Sequence, residues 1–142
     1  MNKFISPSEK ATIAWAKKFA ITLKGGEVIS LEGNLGAGKT VISKAIAKGL
    51  GVTEVVNSPT FVLMKVYPVR RRGKIQNLVH VDAYRLAGHA ELLNIGLGDY
   101  LGQPDTVVLI EWGDTVKEIL PHGVIRIQVE QRSETERAIL LN

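Results

Sequence analysis

Residues Gly33–Thr40, with the sequence Gly-Asn-Leu-Gly-Ala-Gly-Lys-Thr, constrain the fold more than any other part of this chain. They match the pattern G-x-x-x-x-G-K-[ST], in which a glycine-rich loop surrounds the phosphates of a nucleotide. Glycine allows backbone conformations closed to other residues, so successive N–H groups converge on one anion. In this pattern Lys39 reaches the β- and γ-phosphates, and the Thr40 hydroxyl binds Mg²⁺.

The segments on either side of the loop have the order that such a loop requires. Glu27–Leu31 is a short β-rich run, and Lys39–Leu50 places apolar residues at helical spacing before Gly51, a typical helix stop. This order aims a helix N-terminus at the phosphates. It disfavours the alternative interpretation, a glycine-rich turn followed by a surface lysine.

The rest of the chain predicts further helices and strands. A first helix is predicted from Ser6 as N-cap, with Pro7 in its first turn and Glu9 closing a capping box. The other predicted elements are hairpin strands at 61–69 and 75–81, a helix at 87–97, a strand at 107–110, a short helix at 115–120, and strands at 124–129 and 138–141. We therefore predict one α/β P-loop NTPase-like domain over residues 1–142, with a mostly parallel central sheet, antiparallel additions and helices on both faces.

Composition excludes several classes of protein. A hydrophobic content of 45% and a charged content of 23% are ordinary for globular proteins, and no apolar run approaches the ~20 residues that cross a bilayer. The first residues hold too short an apolar segment for a signal peptide. Cysteine is absent, which excludes a disulfide framework and thiolate chemistry. These features predict a cytoplasmic protein.

The net charge of +4 permits a nucleic-acid or acidic partner without requiring one. Much of the excess lies in Arg70, Arg71, Arg72 and Lys74. This group is either a solvated hairpin tip or a docking patch for RNA or for an acidic protein surface. No aromatic residues interleave with the arginines, so a base-stacking platform is not predicted.

Two acidic residues follow apolar runs typical of buried strands. Glu111 follows Val107–Ile110, and Asp82 follows Leu78–Val81. A carboxylate at a buried strand end is costly without a partner, and a metal ion would compensate it. Because hydrolysis of a bound nucleotide needs an oriented Mg²⁺ and a positioned water, we predict that Glu111 binds the metal and that Asp82 positions water or metal.

Other residues near these motifs leave alternatives open. Thr60, in Ser58-Pro59-Thr60, either meets Mg²⁺ or the γ-phosphate or is a plain turn residue. Trp112 either packs in the core or separates the metal site from water. His80 lies on the same strand face as Asp82, where it either assists that acid or is structural. The three histidines lack the spacing of zinc ligands.

Four motifs in this order resemble the TsaE family (formerly YjeE), the bacterial ATPases of tRNA threonylcarbamoyladenosine biosynthesis. They are Gly33–Thr40, Ser58–Phe61, His80–Leu86 and Ile110–Trp112. The glycine loop is shared with many NTPases, whereas the other three together are far more specific. The similarity covers nearly the whole chain, with departures at Asn34, where aspartate is frequent, and at Val41, where a second threonine is frequent.

The resemblance implies roles for individual residues. Thr40 and Glu111 would bind Mg²⁺, Asp82 would act near the attacking water, and Thr60 would belong to a switch-like loop over the γ-phosphate. Catalytic roles are implied for Lys39, Asp82, Glu111 and Thr60. Nucleotide-binding roles are implied for Thr12, Gly33, Gly36, Ala37, Gly38, Lys39, Thr40 and Arg137.

The resemblance also implies partners. Proteins of the family assist the TsaB–TsaD complex, which attaches threonylcarbamoyl to adenosine 37 of certain tRNAs, and ATP hydrolysis resets that complex. Contact with tRNA would then be indirect. A GTPase-like switch is disfavoured because no N-K-x-D segment follows the loop, and a small-molecule kinase because too little chain remains for an acceptor site. The two placed acids argue against a non-catalytic nucleotide-binding module.

Overall fold

A computed structural model describes residues 2–34, 36–56, 64–71, 73–83 and 96–142. Its seven strands are Asn2–Ser6 (β1), Val28–Glu32 (β2), Met64–Pro68 (β3), Asn77–Asp82 (β4), Thr106–Glu111 (β5), Ile125–Gln131 (β6) and Arg137–Leu141 (β7). Its two α-helices are Glu9–Ile21 (α1) and Lys39–Leu50 (α2), and 3₁₀ segments lie at Leu97–Asp99 and Gly113–Ile119.

The strands form one sheet in the order β1-β7-β6-β2-β5-β4-β3. The four central strands, β6, β2, β5 and β4, are parallel to one another. The hairpin partner β3 and the terminal strands β7 and β1 add antiparallel pairs at the two sides. All residues of β2 and β5 are buried, as expected for continuous apolar strands covered on both faces. The predicted α/β fold with a mostly parallel centre and antiparallel additions is confirmed.

Alternation of side chains along the strands divides the core into two layers. On one face, Ile29 and Leu109 pack with Phe19 of α1 and Ile46 of α2. On the other face, Val28, Val79, Val108 and Ile110 pack with Leu97 and Val116 of the two 3₁₀ segments. Both described α-helices therefore lie on one face. Most of the helix predicted at 87–97 lies outside the described residues.

The start of the first helix differs from the prediction. Helix α1 begins at Glu9, and its N-cap is Ser8, whose side chain accepts a hydrogen bond from the N–H of Ala11 at 3.1 Å. Ser6, the predicted N-cap, is instead the buried last residue of β1. Strand β1 was not predicted because most of its residues are exposed and because its pairing partner, β7, lies at the far end of the sequence.

The other elements lie close to their predicted positions. Helix α2 has its predicted bounds, and β3 and β4 form the predicted antiparallel hairpin. The short helix predicted at 115–120 is a 3₁₀ segment displaced by one or two residues. Among the residues that the structure describes, no helix has the length and apolar character needed to span a bilayer.

The packing of α1 against α2 depends on Gly49. A Cβ atom at this position would lie 2.8 Å from Ala20 Cβ and 3.1 Å from the carbonyl oxygen of Lys17. We predict that Gly49→Val separates the helices and lowers the free energy of unfolding by about 1–3 kcal/mol through overpacking. Urea denaturation measures this loss, and Ala14→Val at an exposed site on α1 is the control. Equal stability of the two variants would contradict the packing argument.

Candidate functional site

The glycine loop joins the carboxyl end of β2 to the first turn of α2. Gly33, Gly36 and Gly38 have positive φ angles of 152°, 79° and 107°. A Cβ atom on Gly33 would lie only 2.6 Å from the carbonyl oxygen of Val129, so both conformation and space require glycine there. Gly38 is the N-cap of α2 and provides no side-chain cap. This arrangement leaves the helix N-terminus suited to an anionic cap such as phosphate.

Lys39 is buried at the mouth of the loop, with a relative exposure of 6%. Its Nζ donates hydrogen bonds to the carbonyl oxygens of Gly33 and of Asn34, the latter at 2.8 Å. The same Nζ lies 3.9 Å from the centroid of the Trp112 ring, within the range of a cation–π contact. The ammonium is therefore held between the loop backbone and the residue that follows β5.

Trp112 has a left-handed backbone, with φ 64° and ψ 35°. This conformation costs a non-glycine residue about 1–2 kcal/mol. Its N–H donates to the carbonyl oxygen of Leu31 at 2.9 Å, which fixes the backbone at the end of β2. Sequence reasoning left the role of Trp112 open, and the structure places its ring over Lys39.

The two predicted acids lie side by side at the carboxyl edge of the sheet. Glu111 ends β5, Asp82 ends β4, and the two residues are paired in the parallel register. Glu111 also pairs with Leu31, the residue two before the loop. Glu111 is buried and Asp82 is half-buried. The register thus brings both carboxylates to the sheet edge from which the loop emerges.

His80 binds the buried carboxylate directly. Its Nε2 lies 2.6 Å from Oε2 of Glu111, and the two residues are 1% and 3% exposed. Within the described part of the chain, Nδ1 of His80 has no hydrogen-bond partner. With the proton on Nε2, the imidazole donates to Glu111 and fixes the orientation of its carboxylate. Of the two alternatives left open for His80, the structure therefore favours a hydrogen-bonded histidine, and its partner is Glu111.

The donor chemistry suits a magnesium ion shared with a nucleotide. Thr40, the second residue of α2, offers an exposed hydroxyl, and Glu111 offers a carboxylate. In the described ranges, no three or more His, Cys, Asp or Glu residues gather into a potential metal centre. Magnesium bound with nucleotides takes one or two protein oxygens and completes its shell with phosphate oxygens and water. The residues present fit that mode.

Thr12 and Arg137, from opposite ends of the sequence, meet beside the loop. Together with Gly38 and Val41 they line a cavity of about 60 Å³. Nε of Arg137 donates to the carbonyl oxygen of Ala37 at 2.9 Å, which ties the loop to β7. Oγ1 of Thr12 lies 2.6 Å from Oγ of Ser6. Both residues thus lie beside the loop, and the nucleotide-binding roles implied for them stay predictions.

Sequence reasoning missed Glu32, a second buried carboxylate. Glu32 is 7% exposed, and its Oε2 accepts a hydrogen bond from Ser30 Oγ at 2.7 Å. With Gly33, Asn34 and Ala37 it lines a cavity of about 690 Å³ on the β6 side of the loop. The available signal was the pair of polar residues at alternate positions in an otherwise apolar strand that leads into the loop.

One of the four motifs, Ser58–Phe61 with Thr60, lies wholly outside the described residues. The third motif lies partly outside them, since residues 84–86 are not described. The predicted switch-like role of Thr60 therefore stays a prediction.

Comparisons with known proteins agree on one family. The family model described as "Threonylcarbamoyl adenosine biosynthesis protein TsaE" matches residues 6–139. The tRNA threonylcarbamoyladenosine biosynthesis protein TsaE of Bacillus subtilis (strain 168) is 40% identical over 136 residues, which are 95% of this chain and 80% of that protein. Its namesake from Treponema pallidum (strain Nichols) is 36% identical over 135 residues, 95% of this chain and 96% of that protein. The crystal structure of Bacillus subtilis YdiB matches with a TM-score of 0.77 at 36% identity, covering 97% of this chain and 82% of that chain.

The hydrogen bond between His80 and Glu111 can be tested through stability. We predict that His80→Leu lowers the free energy of unfolding by about 1–3 kcal/mol, because it removes the hydrogen bond between His80 and a buried carboxylate. The double variant His80→Leu with Glu111→Leu removes both polar groups and should lose less than the sum of the two single variants. Chemical denaturation of all four proteins measures this coupling. Additive losses would show that the hydrogen bond contributes nothing.

Proposed function

This chain belongs to the TsaE family of tRNA threonylcarbamoyladenosine biosynthesis proteins, and on that premise we propose that it is a Mg²⁺-dependent ATPase of this pathway. Membership of the family confirms the resemblance found in the sequence motifs.

The proposal rests on the position of the glycine loop relative to Glu111. The glycine loop with Lys39 lies at the carboxyl edge of the sheet, beside the strand end where Glu111 is buried. Lys39 contacts the ring of Trp112, the residue directly after Glu111. A phosphate-binding loop next to a placed carboxylate is the arrangement that binds and hydrolyses a nucleoside triphosphate with a divalent ion.

Different residues of this chain would bind the phosphates, hold the metal ion and orient the water. Backbone N–H groups from Gly36 to Thr40 and the ammonium of Lys39 would hold the ATP phosphates, in place of the carbonyl contacts that Lys39 makes here. Bound Mg²⁺, held by Thr40 and Glu111, would neutralise charge on the phosphate oxygens. Asp82, adjacent to Glu111, would orient the attacking water.

His80 and Arg137 act on the site through other groups. His80 holds the carboxylate of Glu111 in one orientation, so less reorganisation is needed when the ion binds. Arg137 holds the loop through the carbonyl oxygen of Ala37, and its Nη1 also donates to the carbonyl oxygens of Ser133 and Glu136 at 3.0 Å. The loop is thereby positioned by the last strand of the sheet.

We further propose that ATP hydrolysis serves a partner complex in the cytoplasm. Membership of the family supports TsaB and TsaD as the partners, with hydrolysis resetting the complex after threonylcarbamoyl transfer to tRNA. Turnover by the isolated chain is then expected to be slow.

Two variants separate nucleotide binding from hydrolysis. We expect Lys39→Ala to weaken ATP binding by about 10- to 100-fold, since it removes charge-assisted hydrogen bonds to phosphate. Glu111→Ala should keep appreciable ATP affinity but lose Mg²⁺-dependent phosphate release. Isothermal titration and a phosphate-release assay, with and without TsaB and TsaD, measure the two effects.

Exposed residues provide matched controls for these variants. Lys3→Ala and Glu54→Ala remove side chains of the same two types at exposed positions outside the loop and should behave as the unmodified protein. Unchanged turnover of Glu111→Ala would show that the metal assignment is wrong. Rapid phosphate transfer to a small acceptor, with none to water, would favour a kinase instead.

A further inference from the structure

The charges of this protein are unevenly distributed. Residues 9–26, 39–51 and 69–76 carry eleven of the 18 Lys and Arg residues but only one of the 14 Asp and Glu residues. The remainder of the chain is correspondingly acidic. These three segments are α1 with the turn after it, α2, and the tip of the β3–β4 hairpin. A net charge of +4 therefore conceals a strongly basic region.

The fold brings the three basic segments together at Gly49. Its backbone lies against Lys17 of α1, since a Cβ atom on Gly49 would be 3.2 Å from Lys17 Cα. Nη1 of Arg71 in the hairpin tip donates to the carbonyl oxygen of Gly49 at 3.0 Å. The N–H of Arg70 donates to the carbonyl oxygen of Gly51, also at 3.0 Å. The helices and the hairpin tip thus form one continuous surface.

Two open cavities lie between the basic side chains of this surface. One, of about 350 Å³, has Lys17, Lys44 and Lys48 around a floor of Ile13, Val41 and Ala45. The other, of about 280 Å³, is lined by Lys24, Arg71 and Lys74. We call these six basic residues the basic face: Lys17, Lys24, Lys44, Lys48, Arg71 and Lys74.

Two carboxylates adjoin the basic face: Glu9 lines the larger cavity, and Glu27 accepts hydrogen bonds from the backbone N–H groups of Lys24 and Gly25. Across the residues that the structure describes, none of the six side chains forms an ion pair with a carboxylate. Five of the six residues are exposed, and Lys17 is half-buried. An excess of positive charge that is not paired with carboxylates raises the local concentration of polyanions and favours their binding.

The surroundings of the basic face indicate which polyanion fits. The exposed large hydrophobic residues in the described ranges are Ile5, Ile21 and Val55, and none is aromatic. Stacking on unpaired bases relies mainly on aromatic rings, and insertion into a bilayer surface relies on Trp, Phe or Leu. A regular array of phosphates, as on a folded RNA helix, requires only the charges.

We propose that the basic face binds the sugar–phosphate backbone of folded RNA. The family to which the chain belongs acts in tRNA modification, so the RNA expected to bind is tRNA. This contact is direct, in contrast to the indirect contact through partner proteins expected from the sequence resemblance. Glu9 and Val41 line both the larger basic cavity and the small cavity beside the loop. Bound RNA would therefore reach the edge of the nucleotide site.

Charge reversal at matched positions tests this proposal. The triple variant Lys44→Glu, Lys48→Glu, Lys74→Glu alters the basic face, and Lys3→Glu, Lys65→Glu, Lys117→Glu alters exposed lysines elsewhere by the same net charge. Fluorescence anisotropy of a labelled, unmodified tRNA transcript measures binding to the full chain without nucleotide, between about 50 and 200 mM salt. Because no ATP is present, the result is independent of the proposed hydrolysis.

We expect the basic-face variant to bind the transcript at least about tenfold more weakly. The slope of the logarithm of the association constant against the logarithm of the salt concentration should also become shallower, by about one for each phosphate that the protein no longer neutralises. The control variant should retain most of its affinity, and both should melt as the unmodified protein does. If the Glu variant fails to fold, the corresponding triple Gln variant replaces it. Equal weakening in both variants, no binding by the unmodified protein, or tighter binding to phosphatidylglycerol vesicles than to the transcript would overturn the proposal.

Discussion

The geometry of the site depends on the turn at Gly33. Its backbone passes so close to the carbonyl oxygen of Val129 on β6 that no side chain fits, and its φ of 152° also requires glycine. This turn directs the chain from the centre of the sheet into α2 and sets where the loop lies relative to Glu111. A larger residue would have to displace β6 or the loop. The geometry of the site therefore depends on the absence of one methyl group.

Charged side chains are concentrated in a buried setting at the same sheet edge. Lys39, Glu111 and Glu32 are each less than a tenth exposed. Removing such groups from water is costly unless each has a partner, and each has one: loop carbonyls and the Trp112 ring for Lys39, His80 for Glu111, and Ser30 for Glu32. A group of buried charged side chains at one edge of the sheet, next to a glycine loop, is characteristic of a functional site.

Much of this arrangement followed from the sequence, for identifiable reasons. The loop pattern and the apolar spacing of 39–50 are local, and they gave α2 and its position after β2 correctly. Glu111 and Asp82 were found because each ends an apolar run, and parallel strands bring their carboxyl ends to one edge. Three features could not be predicted: strand β1, the pairing of His80 with Glu111, and the contact between the Trp112 ring and Lys39. Each depends on contacts between distant parts of the chain or, for Trp112, on an unusual backbone conformation. The true N-cap of α1 was missed because the local signals, Pro7 and Glu9, favour Ser6. Pairing of Ser6 with Arg137 in the sheet instead makes Ser8 the N-cap.

The central claim is that a nucleoside triphosphate occupies the loop with its divalent ion held between Thr40 and Glu111. The most direct measurement is a crystal structure of the protein with a non-hydrolysable ATP analogue and Mg²⁺. The account predicts the β- and γ-phosphates within the glycine loop, Lys39 turned from the carbonyl oxygens of Gly33 and Asn34 to the phosphates, and the ion between the Thr40 hydroxyl and the Glu111 carboxylate. An analogue bound elsewhere, or an ion that neither residue approaches, would contradict it.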